Sequence, residues 1–496
     1  MSAVFAVNSA VAQNGVVNLV FSETVQDAVG YENTVMAKGH VQFEHDNAKL
    51  YCDSALWFRT PNIVKAYGTV QINQNDTINL FCDTLVYFGN EKIAKLKSNV
   101  RFRDNEYKMV TDSLTYDGDK MQGYYRNWAV ISSIKSEMKL TSRIGYYYSK
   151  RKTFFFRDSV HITDPEFELF ADTLEFRTPT STMHFHGPTT ILMDTSSTLY
   201  CNEGTYFTKD GYAELWNGAT LLQDETSVYA DSLLFNQKSD IGEGFCNVKI
   251  RDTTENTEIR SDYLYKYPGQ EHLKLGDNAK IIQFNDPDTL IIVADTIDWQ
   301  KDTLTSKQLA IAEYNVNIFN GPVIVVCDSA SYIENDSILK LHKDPIIWND
   351  DNQLTADSVI ARIYEGNFDQ IDLYDNCMLI GFKDSVHYDQ IKGKDMQVVL
   401  DSNKIKNIYV EKNAQTLYFL EQEQEDSLKT KEVTGMNKIE CNEIVVYFMK
   451  GEIDRVKFNE DPDATFYPIE QAPKSELFLK GFLWEIERKP YRIVLE

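Results

Sequence analysis

Short stretches of alternating apolar and polar residues, separated by turn-forming residues, recur along almost the whole chain. The commonest form is two apolar positions with one polar residue between them, following Gly, Asn or Asp. Alternation with a period of two places every second side chain on one face, as in a half-buried β-strand. No stretch shows a helical period, so the pattern predicts an all-β fold of short strands and tight turns. Examples are Val41-Gln42-Phe43, Val70-Gln71-Ile72, Val100-Arg101-Phe102, Val160-His161-Ile162 and Val248-Lys249-Ile250.

A second motif is a small residue followed by Asp, then Ser or Thr, an apolar residue and an aromatic residue. Over the first ten steps its copies lie 29 to 33 residues apart, and the last two intervals are 38 and 47. This regularity predicts about thirteen units of about 30 residues, each with two or three strands. The marked positions are Asp53, Asp83, Asp112, Ser142, Asp172, Asn202, Asp231, Asp262, Asp295, Asp328, Asp357, Asp395 and Asn442.

The residues around the repeated Asp predict its role. In the first copy, Cys52 and Ala55 are three positions apart, so a flat strand would place them on opposite faces. A bulge or corner at the Asp-Ser/Thr pair would bring both inward, with the Asp accepting hydrogen bonds from backbone N–H groups that the bend frees. A residue repeated in every unit favours this structural role over catalysis.

The repeats set the domain organisation. We predict an uninterrupted antiparallel two-sheet array over residues 13–460, with its strands beginning near residue 16. The stretch 421–432, EQEQEDSLKTKE, contains a single apolar residue and predicts a solvated loop. Residues 461–496 change in composition and predict a terminal cap or docking segment. Residues 1–12 end in Ala-Val-Ala and resemble the end of an export signal, so the mature chain is expected to begin at Gln13.

Composition narrows the possible functions. The chain has 75 acidic and 50 basic residues, a net charge of -25, so it would repel nucleic acid rather than bind it. No apolar run approaches the roughly 18 to 20 residues that a membrane-spanning helix needs.

Candidate chemistry is sparse. Cys52, Cys82, Cys201, Cys327 and Cys441 stand where other units have Ala, which favours buried thiols over disulfides. His184 and His186 could share a metal on one strand face, but no third ligand is signalled nearby. There is no phosphate-binding loop and no nucleophile motif. We therefore expect no enzyme, no metal and no cofactor.

The two motifs at this spacing resemble the OstA/LptA family of lipopolysaccharide-transport proteins over roughly Val35 to Pro468. The number of repeats, with Gly435-Met436-Asn437 and Gly481-Phe482-Leu483-Trp484, is similar to the long OstA-like proteins of the Bacteroidetes type. The resemblance implies an elongated antiparallel β-jellyroll, or β-taco, that is open along one side and receives acyl chains. It also implies a periplasmic location, possibly at the outer membrane.

The inward positions of the alternating strands are then the expected lipid-binding residues. Lipopolysaccharide is the expected ligand, and other lipopolysaccharide-transport proteins, or further copies joined end to end by β-augmentation, are the expected partners. The predicted lining residues are Val41, Phe43, Val70, Ile72, Val100, Phe102, Val160, Ile162, Val248 and Ile250.

Two other classes share parts of this pattern. A structural stalk or surface interaction protein would show the same repeat with a closed core. A β-solenoid polysaccharide lyase or hydrolase would have about 20 to 25 residues per coil and carboxylates that break the repeat, and neither sign is present.

Overall fold

The computed structural model describes residues 15–30, 32–74, 78–193, 197–236, 238–285, 288–302, 307–333, 336–423, 431–449 and 452–492. The predicted export signal 1–12 and the predicted terminus Gln13 lie outside these residues. Within them the chain forms 36 strands, and every pairing is antiparallel. The predicted all-β, antiparallel fold is confirmed. Two compact units are formed, by residues 1–224 with 232–238 and by residues 225–231 with 239–496.

The first unit contains nineteen of the described strands. They are β1 Asn18–Phe21, β2 Thr24–Asp27, β3 Thr34–His45, β4 Ala48–Phe58, β5 Ile63–Gln74, β6 Ile78–Phe88, β7 Ile93–Arg103, β8 Tyr107–Asp117, β9 Gln122–Tyr125, β10 Ala129–Ser133, β11 Lys139–Ser142, β12 Ile144–Tyr148, β13 Thr153–Thr163, β14 Glu168–Arg177, β15 Thr182–Leu192, β16 Ser197–Phe207, β17 Tyr212–Trp216, β18 Ala219–Gln223 and β20 Ser232–Asn236.

The second unit contains the other seventeen described strands and, near its end, three short 3₁₀ turns at Ile469–Gln471, Lys474–Glu476 and Ile486–Arg488. The strands are β19 Thr226–Ala230, β21 Ile241–Asp252, β22 Thr257–Lys266, β23 Glu271–Gln283, β24 Leu290–Lys301, β25 Gln308–Asn320, β26 Val323–Ile333, β27 Ile338–His342, β28 Ile346–Asn349, β29 Asn352–Thr355, β30 Ser358–Tyr364, β31 Asn367–Phe382, β32 Tyr388–Asp401, β33 Lys404–Glu423, β34 Lys431–Met449, β35 Glu452–Asn459 and β36 Asp463–Pro468.

Most strands are divided by a corner into two arms. In β3 the corner is formed by Gly39 and His40, which both have positive φ. Arm 1 is the segment before Gly39, and arm 2 is the segment after His40. In the ladder with β4, Lys38 pairs with Ser54 and Val41 pairs with Cys52, so Gly39 and His40 together oppose Asp53 alone. Such a two-against-one bulge bends the strand and sharpens its twist. The same two-residue shift recurs in other ladders of both units.

The bulge lies on the strand opposite the one on which it was predicted. The extra residue lies in the Gly- or Asn-containing strand, and the Asp is the single residue opposite it. Backbone in the left-handed region favours Gly and Asn, which explains the turn residues of the alternating motif. Asp53 accepts a hydrogen bond from the backbone N–H of Thr69, as predicted, at 2.8 Å. Elsewhere the donor is an Asn side chain, in the pairs Asn99–Asp83, Asn247–Asp231, Asn278–Asp262, Asn315–Asp295 and Asn376–Asp357.

The ends of the array differ in detail from the predicted boundaries. Strands continue past residue 460 to Pro468 through β36, which pairs with β34. The charged stretch 421–432 is strand at both ends, where Gln422 pairs with Glu432. Its middle, residues 424–430, lies outside the described residues.

Candidate lipid-binding interior

The ten predicted lining residues all lie on arm 2, immediately after a corner. Within each strand they point to one side because they are two positions apart. All ten are buried, with 0 to 9% of their surface exposed. Eight lie in the first unit, whereas Val248 and Ile250 lie in the second. Each unit therefore brings its predicted residues onto an inward side, where they form part of a packed core.

Arm 1 supplies the opposite wall, which the sequence-based list of lining residues omitted. Tyr107 of arm 2 contacts Phe154 of arm 1, with ring centroids 5.5 Å apart, although their strands are not neighbours. Phe102 meets Tyr147 in the same way at 5.7 Å. Such edge-to-face pairs add to the stability that burial gives. The aromatic residues that end the Asp motif are the signal that could have predicted this wall.

Polar contacts between the arms close the rim of the first unit. Lys92, in an arm 1 turn, forms a salt bridge with Asp46, in an arm 2 turn, at 2.9 Å. This pairing raises the pKa of Lys92 and lowers that of Asp46. His45 and Tyr87 are joined by a 2.6 Å hydrogen bond between Nδ1 and the phenol. The rim is thus held by individual contacts that can break, unlike a continuous strand ladder.

Asparagines join the arms in the second unit. The side-chain amide of Asn403, in an arm 1 turn, donates to Asn320 at 3.0 Å and to Asp288 at 3.0 Å, both in arm 2 turns. Asn349 donates to the carbonyl oxygen of Asn403 at 2.7 Å. Asn320 and Asn403 are completely buried. A buried amide that loses its hydrogen-bond partner is destabilised because it is also removed from water. These asparagine hydrogen bonds therefore resist opening more than the exposed salt bridge between Lys92 and Asp46 does.

The interior of the first unit is apolar and tightly filled. A cavity of about 20 Å³ lies beside Phe102 and Gly123, which is space for one water molecule. Burial raises the pKa of the nearby Tyr125 and Tyr147, so these phenols stay neutral. An acyl chain needs far more room than this cavity offers. Room for an acyl chain at this place requires the two arms to move apart.

The cysteines are free thiols, and the predicted histidine pair lies on β15. Cys52, Cys82, Cys201, Cys327 and Cys377 are buried free thiols, and burial raises the pKa of each to about 12. His184 forms a 2.7 Å hydrogen bond with Thr205. Among the described residues no group of three potential metal ligands comes together.

Helices that could span a bilayer are not found in the part of the chain that the structure describes.

Bent antiparallel strands around a largely apolar interior define a two-armed β-repeat protein. Residues 16–172 match the family model described as OstA-like protein. This part of the chain is therefore OstA-like, which confirms there the resemblance inferred from the repeated motifs. A search among curated proteins found no match to the chain.

Proposed function

We propose that this protein is a periplasmic lipopolysaccharide-binding and transport protein that carries lipid along its apolar interior towards the outer membrane. The OstA-like match supports the transport family in general. The observation that carries the finer proposal is the recurrence of the same inward apolar positions from repeat to repeat, with no charged residue among the ten. Sites of similar chemistry bind an acyl chain with similar strength, so a lipid can pass between them passively and without a cofactor.

The affinity of such an interior for lipid comes from methylene burial. Each buried CH₂ group contributes about 0.8 kcal/mol, so a dozen of them contribute roughly 10 kcal/mol. The acyl chain also replaces the apolar contacts that the arms lose when they move apart. The contacts between Lys92 and Asp46 and between His45 and Tyr87 must break for the first unit to open. Because solvent screens exposed ion pairs, the salt bridge is a small barrier.

The terminal strands support a role for partners. Within the described residues, β1 and β2 pair only with β3, whereas β35 and β36 pair only with β34. Each of these outer strands leaves a row of backbone groups available to another strand. We propose that other transport proteins, or further copies of this chain, add there by β-augmentation.

A charge placed in the interior tests the proposed lipid path. Ile162 is completely buried on arm 2 of β13, so Ile162→Asp puts an unpaired carboxylate where acyl chains would pass. We expect delivery of lipopolysaccharide to the cell surface to fall at least tenfold. Surface lipopolysaccharide is measured in cells that depend on the variant.

The neighbouring residue provides the control. Thr163 is exposed on the outward side of the same strand, and Thr163→Asp should leave delivery unchanged. Normal delivery by a folded Ile162→Asp protein at normal abundance would contradict the proposal.

The tight packing favours a second candidate function. A stalk or surface interaction protein needs only a closed core, and the described interior beside Phe102 is closed apart from the small cavity. A stalk would function with arms that never separate, whereas a carrier must open to admit lipid. The two functions therefore predict different results for contact between the interior and lipid.

A further inference from the structure

The outward side of the second unit is apolar over much of arm 2, from Ile282 in β23 to Met436 in β34. In early repeats the outward residue between the two inward ones is polar, as in Gln42, Gln71 and Arg101. In β31 the inward residues are Cys377 and Leu379, yet the outward residues Met378 and Ile380 are also buried, at 3% and 1% exposed. A side chain on the outward side of an antiparallel sheet is buried only if another segment covers it.

That covering segment is the chain's own C-terminal region. Leu479 packs in one buried cluster with outward side chains of β31, β33 and β34, and Phe482 and Trp484 pack at its margin. The rings of Phe482 and Trp484 lie 5.2 and 5.5 Å from that of Tyr388. The outward side chains are Met378, Ile380, Leu417, Phe419 and Met436.

Two glutamines bind the main chain of this segment. Gln390 donates from Nε2 to the carbonyl oxygen of Leu477 at 2.9 Å and accepts from the N–H of Leu479 at 2.7 Å. Gln353 repeats the arrangement, donating to Leu483 at 2.8 Å and accepting from Glu485 at 2.8 Å. Each side-chain amide therefore holds the C=O of one residue and the N–H of the residue two positions later. A neighbouring β-strand holds a backbone in this way.

The binding groups are aligned across the strands. Gln353 pairs in register with Ile380, Ile380 with Gln390, Gln390 with Leu417 and Leu417 with Lys438. Directly opposed residues share one face of a sheet, so these five side chains form a single row. Lys438, at the end of the row, forms a 2.7 Å salt bridge with Glu476. The segment thus crosses the strands along a row of polar contacts with apolar contacts between them.

A tight turn fits the segment to the two glutamines. The N–H of Phe482 donates to the carbonyl oxygen of Leu479 at 3.0 Å, and Gly481 has a φ of +97°. A residue with positive φ at this place in a four-residue turn is strongly favoured to be Gly. The turn places the backbone of Leu477–Leu479 at Gln390 and that of Leu483–Glu485 at Gln353.

We propose that the outward side of β29–β34 is a peptide-binding site whose ligand is the chain's own segment Glu476–Glu485. Both glutamines are completely buried, at 0% exposed, and each uses its amide on the backbone of the segment. These hydrogen bonds recognise the backbone of a bound peptide whatever its side chains, and the apolar cluster favours apolar side chains such as Leu479 and Trp484. The site takes a short apolar peptide with a central Gly turn, whether from this chain or from a second copy. It is independent of the proposed lipid path.

Three full-length proteins and one labelled peptide test this site. The peptide is residues 474–489, KSELFLKGFLWEIERK. In the wild-type protein the tethered segment competes at a millimolar effective concentration, so the peptide should bind weakly. A variant with Leu479→Ser and Trp484→Ser weakens only the tethered copy. It should bind the peptide at least tenfold more tightly, as measured by fluorescence anisotropy.

A third protein adds Gln353→Leu and Gln390→Leu to that weakened variant. It should lose at least tenfold in affinity, because four backbone hydrogen bonds can no longer form. Equal peptide binding by the wild-type protein and the weakened variant, or by the weakened variant and the third protein, would overturn the proposal.

Hydrogen exchange in the wild-type protein gives a test that needs no variant. The amide hydrogens of Leu479 and Glu485 should exchange at least tenfold more slowly than in the free peptide. Exchange at the free-peptide rate would show that the glutamines do not hold the segment.

Discussion

Asp389 is a buried carboxyl group in a protein whose other acids are mostly at the surface. Burial raises its pKa to about 6, against the opposing effects of the Phe419 N–H at 3.0 Å and Lys383 at 3.6 Å. Its carboxylate form is therefore less stable in the folded chain than in water. This residue gives the second unit a defined dependence on pH.

The contribution of Asp389 to the stability of the folded protein should decrease as pH rises from about 4 to about 6. In that range folded Asp389 keeps its proton, whereas the unfolded chain, with the ordinary pKa near 3.8, has lost it. A shift of about two pKa units corresponds to roughly 3 kcal/mol. An asparagine side chain does not titrate, so in Asp389→Asn this contribution disappears. Urea unfolding of both proteins at pH 4, 5, 6 and 7 measures it.

The difference between the two proteins isolates Asp389 from the other carboxyl groups. It should change in favour of the variant by up to about 3 kcal/mol between pH 4 and 7. A difference that stays constant over this range would show that Asp389 has an ordinary pKa.

At the scale of the strand, many corners combine two left-handed residues with an Asp on the neighbouring strand. Asn99 has a φ of 54° and donates to Asp83 at 2.6 Å, so a single residue supplies both the backbone geometry and the hydrogen bond. Gly39 and Gly68, each the first residue of its corner, supply only the left-handed geometry. Substitution at Asn99 can therefore separate the two contributions.

Asn99→Ala should destabilise the β6–β7 ladder by about 2 kcal/mol, because Ala is strained at positive φ and cannot donate to Asp83. Asn99→Gly is the matched control, which keeps the backbone conformation and loses only the hydrogen bond. It should cost about 1 kcal/mol. Hydrogen exchange of the β6 and β7 amides measures both values. Equal effects of the two substitutions would mean that the left-handed conformation carries no cost.

The strands were predictable because their signals are local. Alternation identified inward residues such as Val41 and Ile162, and both are buried. The Asp motif indicated a bend, since Cys52 and Ala55 could not otherwise both be buried. The register between two paired strands determines which of them carries the extra residue. That register cannot be inferred from the sequence of one strand alone. The bulge was therefore predicted on the wrong strand.

At the scale of the whole molecule, the covered outward side depends on contacts between distant segments. A local signal existed, because the run Cys377-Met378-Leu379-Ile380 breaks the alternation and is typical of a strand buried on both faces. It did not show what covers the strand. Gln353 and Leu483 are 130 positions apart, and no motif links them. The state of the interior was also beyond the sequence, since alternation is the same for a packed core and an open groove.

Photo-crosslinking in living cells tests most directly whether lipid travels through the interior. A photoreactive residue is placed at inward Ile72 or Ile250 and, as matched controls, at the adjacent outward positions Gln71 and Lys249. We expect lipopolysaccharide adducts from the inward positions and few or none from the outward positions. Folded, abundant protein that gives no adduct from Ile72 or Ile250, or equal adducts from both sides, would contradict it.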